Sequence, residues 1–215
     1  MEKINMFTLI LKPVIWAHNF LYRLIGVLSI KENDGIHPKH KILKYEQFFI
    51  KNISSGDNVL DIGCGNGFLA SAVSRKAKKV FGIDISEKNI ALAKKRFQEE
   101  NVEYIVGDAT THEFKENFDA IILSNVLEHI ENRTDFLKDI KRLAPRILIR
   151  VPLLSRDWLA VYKKEKGFEY RLDNTHFTEY TEESFQKEMS DADLKIENTE
   201  IKFGELYAVA TKIQN

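Results

Sequence analysis

The stretch Val59-Leu60-Asp61-Ile62-Gly63-Cys64-Gly65-Asn66-Gly67 decides the fold. Apolar residues flank a single acid, and glycine then falls at every second position. A buried strand that runs into such a turn brings bare backbone close to a ligand. A helix is predicted to start at about Gly67, so that its first N–H groups face the same place. A dinucleotide turn reads Gly-x-Gly-x-x-Gly and seats a pyrophosphate. Here the spacing is Gly-x-Gly-x-Gly, and Asp61 would repel a pyrophosphate but suits a cationic ligand. A nicotinamide dehydrogenase therefore fails on glycine spacing.

Working outward, residues 79–85 read as a second strand ending on Asp84, 21 residues after Gly63. That distance suits an acid accepting hydrogen bonds from two ribose hydroxyls. Ser86 is placed to cap a helix with Ile90, Ala93 and Phe97 along one stripe. A third strand, 102–106, ends in Gly107-Asp108-Ala109. A fourth, 118–123, is followed by Ser124-Asn125-Val126-Leu127-Glu128-His129-Ile130. Phe136, Leu137, Ile140 and Leu143 mark a helix stopped by Pro145, and 146–152 read as strand five. Thr181 caps a helix running through Met189, and residues 194–202 and 205–213 form a hairpin turning near Gly204. This alternation predicts an α/β, Rossmann-like, mostly parallel seven-stranded sheet with helices on both faces and a C-terminal antiparallel hairpin. Ligands should meet at the carboxyl ends of its strands.

The first motif resembles motif I of the class I S-adenosylmethionine-dependent methyltransferases, whose ligand carries a sulfonium and an ammonium. The segment Val126-Leu127-Glu128-His129 resembles the segment that follows strand four in that superfamily. Four motifs in order, each after a predicted strand, carry the resemblance over residues 58–130. It implies that Asp61, Gly63, Cys64, Gly65, Gly67, Asp84, Ile85, Asp108, Ala109 and Ser124 surround S-adenosylmethionine. In the resembled family the acid at Asp108 takes the adenine amino group, and the next backbone N–H takes a ring nitrogen. The resemblance implies a methyltransferase acting on an oxygen of a small-molecule, lipid-linked or glycan-linked acceptor.

Composition narrows the classes. The chain has 215 residues, 44% of them hydrophobic, which fits one methyltransferase domain at 51–215 behind a helical extension at 1–50. Lys+Arg and Asp+Glu both number 32. A net charge of zero counts against a surface that tracks nucleic acid, so RNA methylation is the alternative rather than the first reading. A non-catalytic S-adenosylmethionine-binding partner protein is another alternative. The segment Ser124-Asn125-Val126-Leu127 lacks the Asn/Asp-Pro-Pro-Tyr signature of N-methylation. A single cysteine, Cys64, leaves no disulfide framework and no cysteine-based zinc site, and a reducing cytoplasm is the expected compartment. The thiol reads as a small residue in a tight turn rather than a nucleophile.

Residues 7–30 are rich in Leu, Ile, Val, Phe and Trp, but Lys12, Pro13, His18, Asn19 and Arg23 interrupt them. A membrane span is not expected, and a signal peptide is poorly matched. The segment is expected to pack on the domain as a helix or two, or to make peripheral contact with a membrane surface. His37, Lys39 and His40 sit at an expected helix start in 35–50, and a His-Pro-Lys-His run alone is no metal motif. Residues 153–180 are too long for an ordinary connection. Trp158, Tyr162, Phe168 and Tyr170 alternate there with cations, which suits an acceptor lid.

Methyl transfer to a hydroxyl needs positioning and removal of one proton. His129 and His176 are the candidate bases. Glu128 and His129, with a later histidine, resemble the ligand sets of small-RNA 2′-O-methyltransferases and of some quinone-biosynthesis O-methyltransferases. Asn125 stands where the first glutamate of the latter would be. No metal is therefore expected; Glu128, His129 and His176 are the residues one would use.

Overall fold

The structure is a computed structural model and describes residues 6–33, 35 and 37–213. Of the expected regions, 1–5, Asp34, Ile36 and 214–215 lie outside the described residues. In chain order the elements are α1 (Met6–Glu32), α2 (Lys39–Leu43), α3 (Glu46–Lys51), β1 (Asn58–Ile62), α4 (Phe68–Ser74), β2 (Lys79–Asp84), α5 (Glu87–Arg96), β3 (Val102–Val106), β4 (Ala120–Ser124), α6 (Arg133–Ile140), β5 (Arg146–Pro152), α7 (Trp158–Glu165), α8 (Glu182–Asp191), β6 (Leu194–Lys202) and β7 (Glu205–Lys212). Contacts divide the chain into two units. One comprises Glu46–Trp158 and Arg171–Asn215, the other Met1–Tyr45 and Leu159–Tyr170.

The larger unit is built on one seven-stranded sheet in the order β3-β2-β1-β4-β5-β7-β6. Pairs from β3 through β5 are parallel, and β7 runs antiparallel to both β5 and β6. This is the expected fold class. Strands β1, β2 and β4 are almost continuously buried, because helices cover both faces of a parallel sheet. One face packs Leu60, Phe81, Ile121 and Ile147 against Leu137, Ile140, Phe185 and Met189 of α6 and α8. Chain order reverses between β1 and β4, which opens the crevice where such sheets bind ligands.

Local chemistry explains most boundaries. Ser86 Oγ accepts from Asn89 N at 3.3 Å to start α5, and Thr181 and Ser184 form a reciprocal capping box on α8. The hairpin closes through Phe203 and Gly204, both at positive φ, as a two-residue primed turn requires. Several boundaries shift. Phe97 leaves the helix as its extended C-cap, Leu143 lies beyond the end of α6, β4 runs Ala120–Ser124 instead of 118–123, and β2 ends at Asp84 instead of 85.

In the smaller unit, residues 6–32 form one 27-residue helix with Pro13 inside it, within the expectation of a helix or two. Among the described residues of α1 only Ile15 is buried, while Leu9, Trp16, Leu21, Ile25 and Leu28 are all more than half exposed. Its polar strip is the side with partners. Lys163 Nζ of α7 donates to Asn19 Oδ1 at 2.7 Å, and Asn19 Nδ2 donates to the Glu169 carbonyl at 2.9 Å. His40 and His37 are spent locally, on the Tyr45 hydroxyl and the Lys39 N–H.

Under the sheet's carboxyl end lies a buried ion pair. Arg150 of β5 donates from Nε and Nη2 to both carboxylate oxygens of Glu205, at 2.6 and 3.0 Å, and from Nη1 to Ser124 Oγ at 3.2 Å. Removing one partner of such a pair strands a buried charge. Glu205→Ala is expected to lower unfolding free energy by about 3–5 kcal/mol, read as a shift of the urea midpoint. Arg150→Met combined with Glu205→Leu should cost far less than Glu205→Ala alone.

Candidate active site

The glycine turn is fastened to the end of β2. Gly63 N and Cys64 N both donate to the Ile83 carbonyl, at 2.8 and 3.2 Å, and Gly65 N donates to Asp84 Oδ2 at 2.9 Å. Gly63, Gly65 and Gly67 have φ of 68°, 54° and 83°. At Gly63 a Cβ would meet Val126 Cγ2 at 2.8 Å, and at Gly67 it would meet the Tyr104 hydroxyl at 2.7 Å. Above Gly65 nothing lies within 4 Å, so that side of the turn is open. α4 starts at Phe68 with Gly67 as its N-cap, where the sequence expected a helix to begin.

Asp61 sits inside this fastening. It is 1% exposed, and its Oδ2 is buried without a hydrogen-bond partner among the described residues. Burial, reinforced by the nearby Asp84 carboxylate, pushes its pKa up to about 8. Asp84 is already engaged. Its Oδ1 accepts from Ser86 N at 2.8 Å, and Asn89 Nδ2 reaches both of its oxygens. Cys64 is buried, and its thiol is pushed up by burial and by the two acids, which rules out an activated thiolate.

The other expected residues line the same strand ends. Ile85, after β2, is 79% exposed, a large apolar face left uncovered. Asp108, after β3, is exposed, and its Oδ1 accepts from Thr110 N and Oγ1, each at 2.8 Å. Ala109 beside it is buried. Ser124 ends β4 and meets Arg150. Burial without a partner at Asp61, open space at Gly65 and an apolar platform at Ile85 fit a cationic nucleoside with an aromatic base.

Past β4 the chain turns sharply through Asn125, at φ 56°. Its N–H donates to the Arg150 carbonyl at 2.9 Å, and its Nδ2 donates to Glu128 Oε1 at 2.7 Å. Glu128 is fully buried with Oε2 unpartnered, and burial pushes it up to about 7. Residues 171–180, the return limb of the long insertion, lie against this turn, with Phe177 N donating to the Glu128 carbonyl at 2.7 Å. They bring His176 edge-on to His129, ring centroids 4.6 Å apart. His176 Nδ1 lies 2.9 Å from Glu179 Oε1, and Glu179 is held by Arg156 Nη1 at 2.8 Å and Leu172 N at 2.7 Å. His129 Nδ1 lies 3.0 Å from Thr175 Oγ1. Its pKa is lowered by burial and by His176.

Glu128, His129 and His176 each offer a ligand atom, all within 4.8 Å of one another. The structure thus assembles the three residues named for a metal that was not expected. Sequence reasoning missed Glu179, Arg156 and Arg150. A signal existed for two of them: Glu179 follows His176 by three residues, and Arg150 interrupts an apolar strand.

Residues 60–146 match the family described as Methyltransferase domain. The ubiquinone biosynthesis O-methyltransferase of Bradyrhizobium diazoefficiens is 36% identical over 124 residues, 56% of this chain and 49% of that protein. The mitochondrial ubiquinone biosynthesis O-methyltransferase of Schizosaccharomyces pombe is 34% identical over 121 residues, 54% of this chain and 44% of that protein. The chain thus spans about half the length of the curated relatives it matches. In fold it resembles the magnesium protoporphyrin IX methyltransferase of Synechocystis PCC 6803 with bound SAH, at a TM-score of 0.59 and 19% identity, over 99% of this chain and 90% of that one. Across the glycine turn, β2, β3 and β4 the chain is thus similar to the Methyltransferase domain family, and its fold is similar to that of solved methyltransferases.

Proposed function

We propose that the protein transfers a methyl group from S-adenosylmethionine to an oxygen of a small-molecule, lipid-linked or glycan-linked acceptor. The observation that carries this reading is the buried, unpartnered Asp61 carboxyl beside an open glycine turn. The O-methyltransferase names of the curated relatives support oxygen as the acceptor atom. The proposed architecture is a helical extension at 1–50, a methyltransferase domain at 51–215, and an acceptor lid at about 153–180. Its proposed setting is the cytoplasm, with peripheral membrane contact through 7–30.

When bound, the cofactor supplies a methyl carbon on a sulfonium, whose departure as a neutral thioether needs no acid. Asp61 supplies negative charge for that cation, while Asp84, Ile85, Asp108 and Ala109 hold the nucleoside. Asp84 organises the turn before any ligand arrives, since it already ties Gly65 to Ser86. His176 is the better candidate base. Glu179 accepts from its Nδ1–H, which leaves Nε2 as the proton acceptor. His129 is kept neutral and is aimed by Thr175.

A second reading is favoured by the clustering of Glu128, His129 and His176 within 4.8 Å. Two imidazoles and a carboxylate suit a divalent first-row cation, which would acidify the acceptor hydroxyl. Dialysis against EDTA separates the readings. Undiminished turnover supports the base, whereas loss restored by Mn²⁺, Mg²⁺ or Zn²⁺ supports the ion.

On the base reading, His176→Gln is expected to lower kcat about 10²–10⁴-fold and leave cofactor affinity unchanged by calorimetry. Glu179→Gln should also shift the pH-rate profile, which a merely structural loss would not do. Unaltered kcat in His176→Gln would place the base elsewhere.

Asp61 predicts a pH dependence. Its folded pKa of about 8 lies above the ordinary 3.8, so the folded state holds the extra proton. In the unliganded protein this group's contribution to stability is therefore lost as pH rises between those two values. A cationic ligand favours the ionised form. Binding near neutral pH should release a proton, seen by calorimetry in buffers of different ionisation enthalpy. The preference for S-adenosylmethionine over its demethylated product should rise as pH passes 8. Asp61→Asn is expected to flatten that rise and remove the proton release.

A further inference from the structure

We infer that α1 lies in the plane of a membrane surface carrying anionic phospholipid, with its polar strip turned to α7 and its apolar half seated among the acyl chains. This deepens the partner proposed above and uses only residues of the smaller unit.

The arrangement follows from helical spacing. At 3.6 residues per turn, Leu9, Trp16, Phe20, Leu21, Ile25 and Leu28 fall on one continuous arc of about half the circumference. Every one of them is more than half exposed. Lys12, Asn19 and Arg23 fall together along one border of that arc. At 1.5 Å per residue the 27 residues run roughly 40 Å. An uncovered apolar face of that length needs a partner or a lipid phase.

By length and composition the segment Leu9–Glu32, with mean hydropathy 1.2, also suffices to cross a membrane. The side-chain pairing selects the in-plane orientation instead. Asn19, at mid-helix, holds Lys163 at 2.7 Å, and His18 Nδ1 lies 3.3 Å from the same ammonium. The helix of Lys163 also carries Lys164 and Glu165, followed by Lys166. A spanning α1 would drag these charges into hydrocarbon, where backbone and ionic groups have no water. An in-plane helix leaves them in water and sinks only the apolar half.

Charge points to the lipid. A groove of about 650 Å³ is lined by α1, α7 and the segment after it, including the apolar Leu11, Val14 and Phe168 and the cations Lys12 and Lys166. Neither ammonium has a hydrogen-bond or ion-pair partner among the described residues. An apolar wall below two such cations complements a phospholipid's acyl chain and phosphate.

The test is flotation of the full chain with vesicles of phosphatidylcholine alone and of phosphatidylcholine mixed with phosphatidylglycerol. The protein should float with the mixed vesicles and only weakly with the neutral ones. Lys12→Gln with Lys166→Gln should cut partition to the mixed vesicles by roughly 25-fold, at about five-fold per cation. Leu21→Glu with Leu28→Glu, both exposed, should abolish flotation on either vesicle. Alkaline carbonate should strip the bound protein. Retention after carbonate overturns the in-plane orientation in favour of a span. Equal flotation on both vesicles overturns the anionic partner. Self-association that the two Leu→Glu changes abolish, without flotation, overturns the membrane in favour of a second copy. Cofactor affinity of these variants, read by calorimetry, should stay at the wild-type value; its loss in the unsubstituted chain would instead sink the methyltransferase reading and leave flotation standing.

Discussion

The whole site depends on keeping a carboxyl group out of water without giving it a partner. Asp61 is placed there by strand alternation in β1, and the turn that follows cannot relax away from it. Ile83 and Asp84 fix that turn by three backbone N–H bonds. A side chain at Gly63 or Gly67 would collide with Val126 or Tyr104, so the backbone stays close-packed on both flanks and open only above Gly65. The resulting desolvation is unfavourable by itself, and on the proposed function a cationic ligand offsets it. Binding energy is thereby stored in the fold instead of being assembled from mobile surface groups.

The sheet and the turns at its strand ends were legible in the sequence because they follow from local patterns. Alternating strand and helix signals, and turn residues at fixed offsets, gave β3 and β5 to the residue. They also gave the caps at Ser86 and Thr181. The acceptor end was legible only as candidates. His129 and His176 are 47 residues apart in sequence, and what joins them is the return limb of an insertion whose path no periodicity encodes. Glu179 and Arg156 orient that limb through an ion pair, a tertiary contact without a spacing rule. α1 was legible as a helix but not in its surroundings: packing on the domain and contact with a membrane were both open readings, because a run of Leu, Ile and Phe does not say which phase will bury it.

The buried Arg150–Glu205 pair connects these two levels. It lies between β5 and β7, the only place where the sheet changes from parallel to antiparallel pairing. Arg150 also bonds Ser124, and its carbonyl holds Asn125 in the left-handed turn that aims Glu128. A hydrophobic replacement could stabilise the strands as well or better. It could not donate to Ser124 Oγ or compensate the neighbouring carboxyl of Glu205. The pair is therefore better explained by what it positions at the end of β4 than by net stability.

The two ends of the site differ in charge in a way that matches the proposed chemistry. One end holds an acid at about 8; the other holds an acid at about 7 beside His129, whose pKa is lowered by burial and by His176. Methylating a hydroxyl relocates one positive charge, from the cofactor side to whichever group takes the acceptor's proton. Asp61 is suited to the charge before reaction. Glu179, paired with His176 and anchored by Arg156, is suited to it afterwards. Neither acid needs to move, and no bulk water is required between them. A protein that only sensed the cofactor would need the first of these devices and would have no use for the second.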